Sequence, residues 1–323
     1  MKKKPEEKRL SKTVSPDLSV NLAGIKMKNP VMVASGTFGY GTEYAPFVDL
    51  DKLGAIITKT ITLKPKEGNP PPRTMETPSG LLNSIGLENV GLDHFIKEKL
   101  PALRKMTKTP VIVSIGGRCI EEYRQMARAL DQEKGVSGME MNISCPNIEK
   151  IPARMIAQDQ GQVYRFVKSV RKMTRLPLIV KLSPNVTDIT KIARSAVKGG
   201  ADALSLINTL TGMAVDVEKR KPVFFRCIAG LSGPALRPLG VRMVWECSRS
   251  VEVPVIGIGG IVEAKDALEY ILSGATAVAV GTGLFVNPLT PVEIVDGMEA
   301  YLQKHRIKRI AELTTGGLRW KVT

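Results

Sequence analysis

Eight short apolar runs spaced through this 323-residue chain limit its fold more than any other feature. They are Pro30–Ser35, Gly54–Thr60, Pro110–Ile115, Gly138–Ile143, Pro177–Leu182, Ala201–Ile207, Pro254–Ile258 and Thr276–Val280. Most are continuous rather than alternating, which is how strands covered on both faces read. Stretches with helical spacing lie between several of them: Glu121–Leu130, Gln162–Thr174, Ile189–Lys198, Arg242–Ser250 and Ala264–Leu272. Gly199 and Gly274 stand where helix C-caps belong. Eight strand-then-helix units match the usual ~250 residues of an α/β fold of the (β/α)8 TIM-barrel type. A doubly wound open sheet is the alternative, because counting strands does not show closure.

Three connections are too long for simple βα loops: 61 to about 93, 144 to about 160, and 208 to about 240. All follow the C-terminal ends of strands, which in a barrel form the active-site face. The second opens with Met141-Asn142-Ile143-Ser144-Cys145-Pro146-Asn147. An isolated cysteine is usually a small core residue. Here the strand ends just before it, so Cys145 is expected at the barrel mouth beside Asn142 and Asn147.

The glycines follow the last two strands. Gly257-Ile258-Gly259-Gly260-Ile261 leads towards a helix near Glu263, and Gly281-Thr282-Gly283 ends the eighth run. In barrels these two loops, with a helix N-terminus, commonly cradle a phosphate. No G-x-G-x-x-G is present, so a mononucleotide-like phosphate suits better than a dinucleotide. Lys59 and Lys181 sit inside otherwise apolar runs, where a lysine is costly to bury unless it meets an anion. Asn83, Asn142, Asn147, Asn185 and Asn208 fall at or beyond strand ends or in the long loops. Amides and lysines gathered at one mouth point to a planar, polar, anionic ligand.

Composition narrows the class. No apolar run approaches the ~20 residues of a membrane span, and the basic N-terminus has no apolar segment behind it. Residues 1–16 read as a flexible basic arm, and residues 17–323 as one barrel domain. Cys119, Cys145, Cys227 and Cys247 form no C-x-x-C pair, so no metal or iron–sulfur ligation is expected in this chain, and a reducing cytoplasm is the expected compartment. The net charge of +16 is dispersed, with its densest clusters near the termini and no nucleic-acid-binding motif, so neither a nucleic acid nor a membrane is expected as partner.

Several motifs together resemble the class 1 dihydroorotate dehydrogenases, FMN enzymes of pyrimidine biosynthesis, and among them the 1B type. The resemblance runs from about Leu18 to about Gln303. It rests on Ala34-Ser35-Gly36-Thr37-Phe38-Gly39-Tyr40-Gly41, Thr58-Lys59-Thr60, Asn83-Ser84-Ile85-Gly86-Leu87, Asn142-Ile143-Ser144-Cys145-Pro146-Asn147, Asn208-Thr209-Leu210-Thr211-Gly212, Gly230-Leu231-Ser232-Gly233-Pro234 and the two glycine turns. It implies oxidation of dihydroorotate to orotate, with Cys145 as the base that removes the C5 proton and FMN as hydride acceptor. It implies that Lys59, Asn83, Ile85, Gly86, Leu87, Asn142, Asn147, Asn208 and Thr209 hold the substrate. It assigns FMN to Ser35, Gly36, Lys59, Thr60, Ser114, Asn142, Lys181, Ile207, Gly233, Gly259, Gly260, Gly281 and Thr282, with Lys181 at the electron-rich edge of the ring system. Ser114 is a departure, since the family usually has Asn there; a serine donates one hydrogen bond with shorter reach.

The 1B resemblance further implies a homodimer joined by an electron-transfer subunit that carries FAD and a 2Fe–2S cluster and passes electrons to NAD+, a heterotetramer overall. A fumarate-dependent 1A-type enzyme, a dihydropyrimidine dehydrogenase-like enzyme and a tRNA dihydrouridine synthase remain alternatives, as does a non-catalytic binding barrel. The carboxylate-directed Lys59 and Asn83 motifs favour a free carboxylated pyrimidine over tRNA.

Overall fold

The computed structural model describes residues 15–144 and 156–316. Most of the arm expected over residues 1–16 lies outside them, as do Cys145 and Asn147.

All eight apolar runs form strands: β1 (Val31–Val33), β2 (Ala55–Ile57), β3 (Val111–Ile115), β4 (Gly138–Asn142), β5 (Leu178–Lys181), β6 (Ala203–Leu206), β7 (Val255–Ile258) and β8 (Ala277–Val280). They pair in parallel, each with its sequence neighbours, and β8 returns to β1 to close the barrel. Closure excludes the open doubly wound sheet. The outer ring includes α1 (Leu100–Met106), α2 (Ile120–Leu130), α3 (Gln160–Arg171), α4 (Ile189–Gly199), α5 (Arg237–Ser248), α6 (Ala264–Leu272) and α7 (Thr290–Lys304).

Strand side chains alternate between two faces, so the barrel has two cores. Residues such as Val31, Val33, Val113, Met139, Val180 and Leu204 point outward and pack under the helices. Met32, Ala55, Ile57, Ile112, Ile179, Ala203, Ile256 and Ala277 point inward. A hairpin, Val20–Leu22 with Ile25–Met27, adds Leu22, Ile25 and Met27 to this inner core and closes the N-terminal end. Ile25 fits because the facing position is Gly138; a Cβ there would lie 2.9 Å from its Cδ1. Each fully buried apolar side chain contributes roughly 1.5–3 kcal/mol.

One expectation is corrected. Helix α4 runs through Gly199 and is capped by Gly200, whose φ is +104°. Gly199 is small for another reason: a Cβ there would meet Val167 Cβ at 2.8 Å, where α3 and α4 pack. The connections 61 to 93 and 208 to 240, too long for simple βα loops, carry strands of their own. Together they build an antiparallel sheet of four strands, ordered Leu210–Met213, Ile228–Ser232, Gly80–Asn83 and Thr74–Thr77. This cover sheet stands over the C-terminal mouth.

The turn after β7 is tied to α6 from below. Tyr270 is fully buried, and its hydroxyl donates to the carbonyls of Gly259 at 2.7 Å and Ile258 at 3.3 Å. Burial pushes its ionisation well above the ordinary tyrosine range, so it stays a donor. Gly240 and Gly257 make room for the ring. Tyr270→Phe is expected to cost roughly 1–3 kcal/mol and to lower the Tm in calorimetry. An unchanged Tm would show that the hydroxyl does not fasten this turn.

Candidate active site

The strand ends converge on two adjoining cavities. The smaller, about 240 Å³, lies over the barrel mouth. Strand β1 continues into Ser35 and Gly36, β2 into Lys59 and Thr60, β5 ends on Lys181, and β7 and β8 supply the glycine turns. Every position assigned to the cofactor from sequence lines this cavity except Ser114. Ser114 is fully buried one layer behind, its hydroxyl 2.9 Å from that of Thr60. The larger cavity, about 300 Å³, opens alongside under the cover sheet. Asn83, Ile85, Leu87, Asn142, Asn208 and Thr209 line both and so form the wall they share. Lys59 faces the smaller cavity and Gly86 the larger.

A chain of polar contacts fixes this wall. Asn208 donates to Asn142 Oδ1 at 3.3 Å, and Asn142 donates to Thr60 Oγ1 at 3.3 Å. Asn83 Nδ2 reaches the Gly230 carbonyl at 3.1 Å across the cover sheet. Asn185 is used differently from the other amides: it donates to Ser183 Oγ and the Thr209 carbonyl, and accepts from Thr211, so it staples the loop after β5 to the cover sheet. Gly86 and Leu87 both adopt the left-handed region, at φ +76° and +57°. For leucine this costs on the order of 1–3 kcal/mol and persists only where the surroundings enforce it. Here Asn89 holds the Leu87 carbonyl at 2.7 Å.

The glycine turns suit a phosphate. Among the described residues, the backbone N–H groups of Gly260, Gly281 and Thr282 find no acceptor. Gly260 has φ +68°, and a Cβ there would lie 2.9 Å from Arg237 Cβ and from the Gly233 carbonyl oxygen. The helix contribution differs from expectation. The N-terminus of α6 is closed by its own capping box, in which Asp266 accepts from the N–H groups of Val262 and Glu263. Asp266 also pairs with Arg237. The free N–H groups therefore come from the turns after β7 and β8 rather than from the N-terminus of α6.

Three features had weak sequence signals or none. Glu140, inside β4, is fully buried and shares the inward face with Asn142; its parity in the run was the available signal. The left-handed Leu87 had none. Arg118 and Arg226 line the larger cavity from loops of ordinary composition. Among the described residues, no cluster of three or more His, Cys, Asp or Glu side chains is placed to hold a metal ion, and no helix is long and apolar enough to cross a membrane. Cys119 and Cys227 are exposed, whereas Cys247 is buried in the core, where burial pushes its thiol up to about 12.

The sequence profile described as Dihydroorotate dehydrogenase matches residues 17–302. The chain belongs to the dihydroorotate dehydrogenase family. It is 55% identical over 298 residues to "Dihydroorotate dehydrogenase B (NAD(+)), catalytic subunit" of Geotalea uraniireducens, covering 92% of this chain and 97% of that protein. Proteins of the same name from Pelobacter propionicus and Desulforamulus reducens are each 53% identical, over 93% and 92% of this chain and 98% and 97% of theirs. The dihydroorotate dehydrogenases are flavin-dependent oxidoreductases, and the smaller cavity fits a flavin nucleotide by the free N–H groups at its glycine turns and by Lys59 and Lys181 in its lining. Gly260→Ala is expected to weaken flavin affinity at least about tenfold, some 1.4 kcal/mol, while the barrel still folds. Fluorescence of flavin released on dilution, with circular dichroism as control, checks both halves.

Proposed function

We propose that this chain is the catalytic subunit of a 1B-type dihydroorotate dehydrogenase, with FMN in the smaller cavity and dihydroorotate at the wall shared with the larger one. The observation that carries this reading is that wall: its six side chains are positions that the family resemblance assigns to the substrate. When bound, FMN supplies the hydride acceptor. Lys59 offers a cation to the substrate carboxylate. Asn83, Asn142 and Asn208 offer amide donors and acceptors to the ring, and Asn147 belongs to the same set. Lys181 supplies positive charge where negative charge develops. Residues 17–323 act as one FMN-binding unit.

Cys145 is proposed as the base that takes the C5 proton. Its neighbour Ser144 lines the larger cavity and its N–H bonds Asn142 Oδ1 at 3.4 Å. A thiol has a reference pKa of ~8.5, and polar neighbours that favour thiolate bring it into working range. Cys145→Ala is expected to keep FMN and to slow its anaerobic bleaching by dihydroorotate about 10²–10⁴-fold; Cys145→Ser should recover rate only at higher pH. Wild-type rates in Cys145→Ala would remove it from the mechanism. Lys59→Ala should weaken orotate far more than a pyrimidine without the carboxylate, and equal losses would count against a carboxylate clamp.

The relatives' shared name, an NAD(+) enzyme's catalytic subunit, supports a second subunit as the route for electrons. We propose that the partner carries FAD and a 2Fe–2S cluster, that the catalytic chains pair, and that the assembly is a cytoplasmic heterotetramer. The chain alone should reduce artificial acceptors with dihydroorotate but form no NADH. Rapid NADH formation without a partner would defeat the two-subunit reading, and efficient fumarate reduction would move the chain to the 1A type.

A further inference from the structure

The inner face of the barrel carries one charged pair directly beneath the smaller cavity. Glu140 on β4 and Lys181 on β5 both point inward, and Lys181 also lines the cavity. The register places Asn142 beside Lys181, and Lys181 beside Ser205 of β6. Glu140 lies one inward step below Asn142. Its Oε2 accepts from Ser205 Oγ at 2.9 Å. Its Oε1 lies 3.9 Å from Lys181 Nζ and, among the described residues, has no hydrogen-bond partner. Lys181 Nζ donates to Ser35 Oγ at 3.3 Å, on the cavity side.

This arrangement is poor as a stability device. A fully buried carboxylate is costly, and its pairing repays that only with good geometry and satisfied lone pairs. Here one oxygen is orphaned and the ion pair is at the long end of contact. Such a group calls for an explanation other than packing. Lys181 is tethered between two partners: Ser35 at the cavity surface and Glu140 behind it. The carboxylate therefore does two things. It keeps the ammonium pinned to the barrel axis, and it offsets part of the positive charge that Lys181 presents to the cavity. In a buried site that offset is screened far less than in water.

We propose that Glu140 is a positioning residue that tempers the charge of Lys181 and so sets the reduction potential of the flavin. The proposal rests on the reading of the smaller cavity as the FMN site. Negative charge grows on a flavin as it is reduced, so an uncompensated Lys181 favours the reduced form more than a compensated one. Removing the carboxylate while Ser35 still holds Nζ leaves Lys181 uncompensated, and the potential rises.

The test is the two-electron midpoint potential of the purified holoprotein, titrated against reference dyes without dihydroorotate. Glu140→Gln keeps the side-chain volume and is expected to raise the potential at least tenfold in the reduction equilibrium, ~30 mV for a two-electron couple. Glu140→Asp withdraws the charge from Lys181 by one methylene and is expected to shift the potential the same way by less; it serves as the folded variant should Glu140→Gln not accumulate. The double variant Glu140→Gln/Lys181→Met leaves neither charge buried and is expected to fall below wild type. Potentials unchanged or lowered in Glu140→Gln and Glu140→Asp, with only the Tm reduced, would make the pair structural and overturn the proposal. A double variant as high as Glu140→Gln would show that Glu140 acts without Lys181, and would overturn it too. Flavin bound but not reduced by dihydroorotate refutes the proposed substrate and leaves these potentials decisive; a chain that binds no flavin refutes both readings.

Discussion

The parity of eight strands closed into one barrel governs the rest of this molecule. A side chain on a barrel strand has only two directions, and a register slip of one residue would exchange them. With the observed register the inner face changes character along β3, β4, β5 and β6, while on β1, β2, β7 and β8 it stays apolar. Ile112 is followed inward by Ser114, Ile179 by Lys181, Ala203 by Ser205, and Gly138 by Glu140 and then Asn142. The N-terminal half of the barrel is thus dry and filled from below by Leu22, Ile25 and Met27. On those four strands the C-terminal half is polar, and Asn142 and Lys181 reach the cavities. The same alternation sends Val113, Met139 and Val180 to the helices, so the residues that hold the ring on also fix the aim of the polar set.

The strands were legible because burial on both faces leaves continuous apolar runs, and their ends located the glycine turns, Lys59 and Lys181 in one step. The cover sheet was not legible. Asn83 pairs across to Gly230, 147 residues away, and its four strands are short and rich in Gly, Thr and Met. No local pattern specifies a partner at that distance. Gly199 shows a different limit. Two adjacent glycines ended the helical pattern, and only packing against Val167 reveals that the first is there for space and the second for its backbone. Glu140 was readable in principle, since it keeps step with Asn142, but a run scored as apolar hides a single acid.

Because the cover sheet is built from the connections after β2 and β6, the wall between the cavities draws on both the barrel and its lid. Asn142 comes from a barrel strand, Asn83 from a cover strand, and Asn208 and Thr209 from the joint between them. Asn185 ties that joint to the loop after β5. The enforced left-handed turn at Gly86 and Leu87 brings the remaining backbone to the wall. Groups on several elements are held here by hydrogen bonds to one another, which preorganises them before any ligand arrives.

The Ser114 departure is resolved by counting protons. Ser114 and Thr60 each carry one hydroxyl hydrogen, and their oxygens are 2.9 Å apart, so one donates to the other. Thr60 already accepts from Asn142. If Thr60 donated to Ser114, the Ser114 hydrogen would be left in a fully buried position with no other acceptor among the described residues, at a cost of roughly 1–3 kcal/mol. If Ser114 donates to Thr60, the hydrogen left over belongs to Thr60, which lines the smaller cavity. The second arrangement leaves the spare hydrogen at the cavity rather than in the core. The short serine therefore does not need to reach the cavity: by donating to Thr60 it leaves the threonine's hydroxyl hydrogen at the cavity surface.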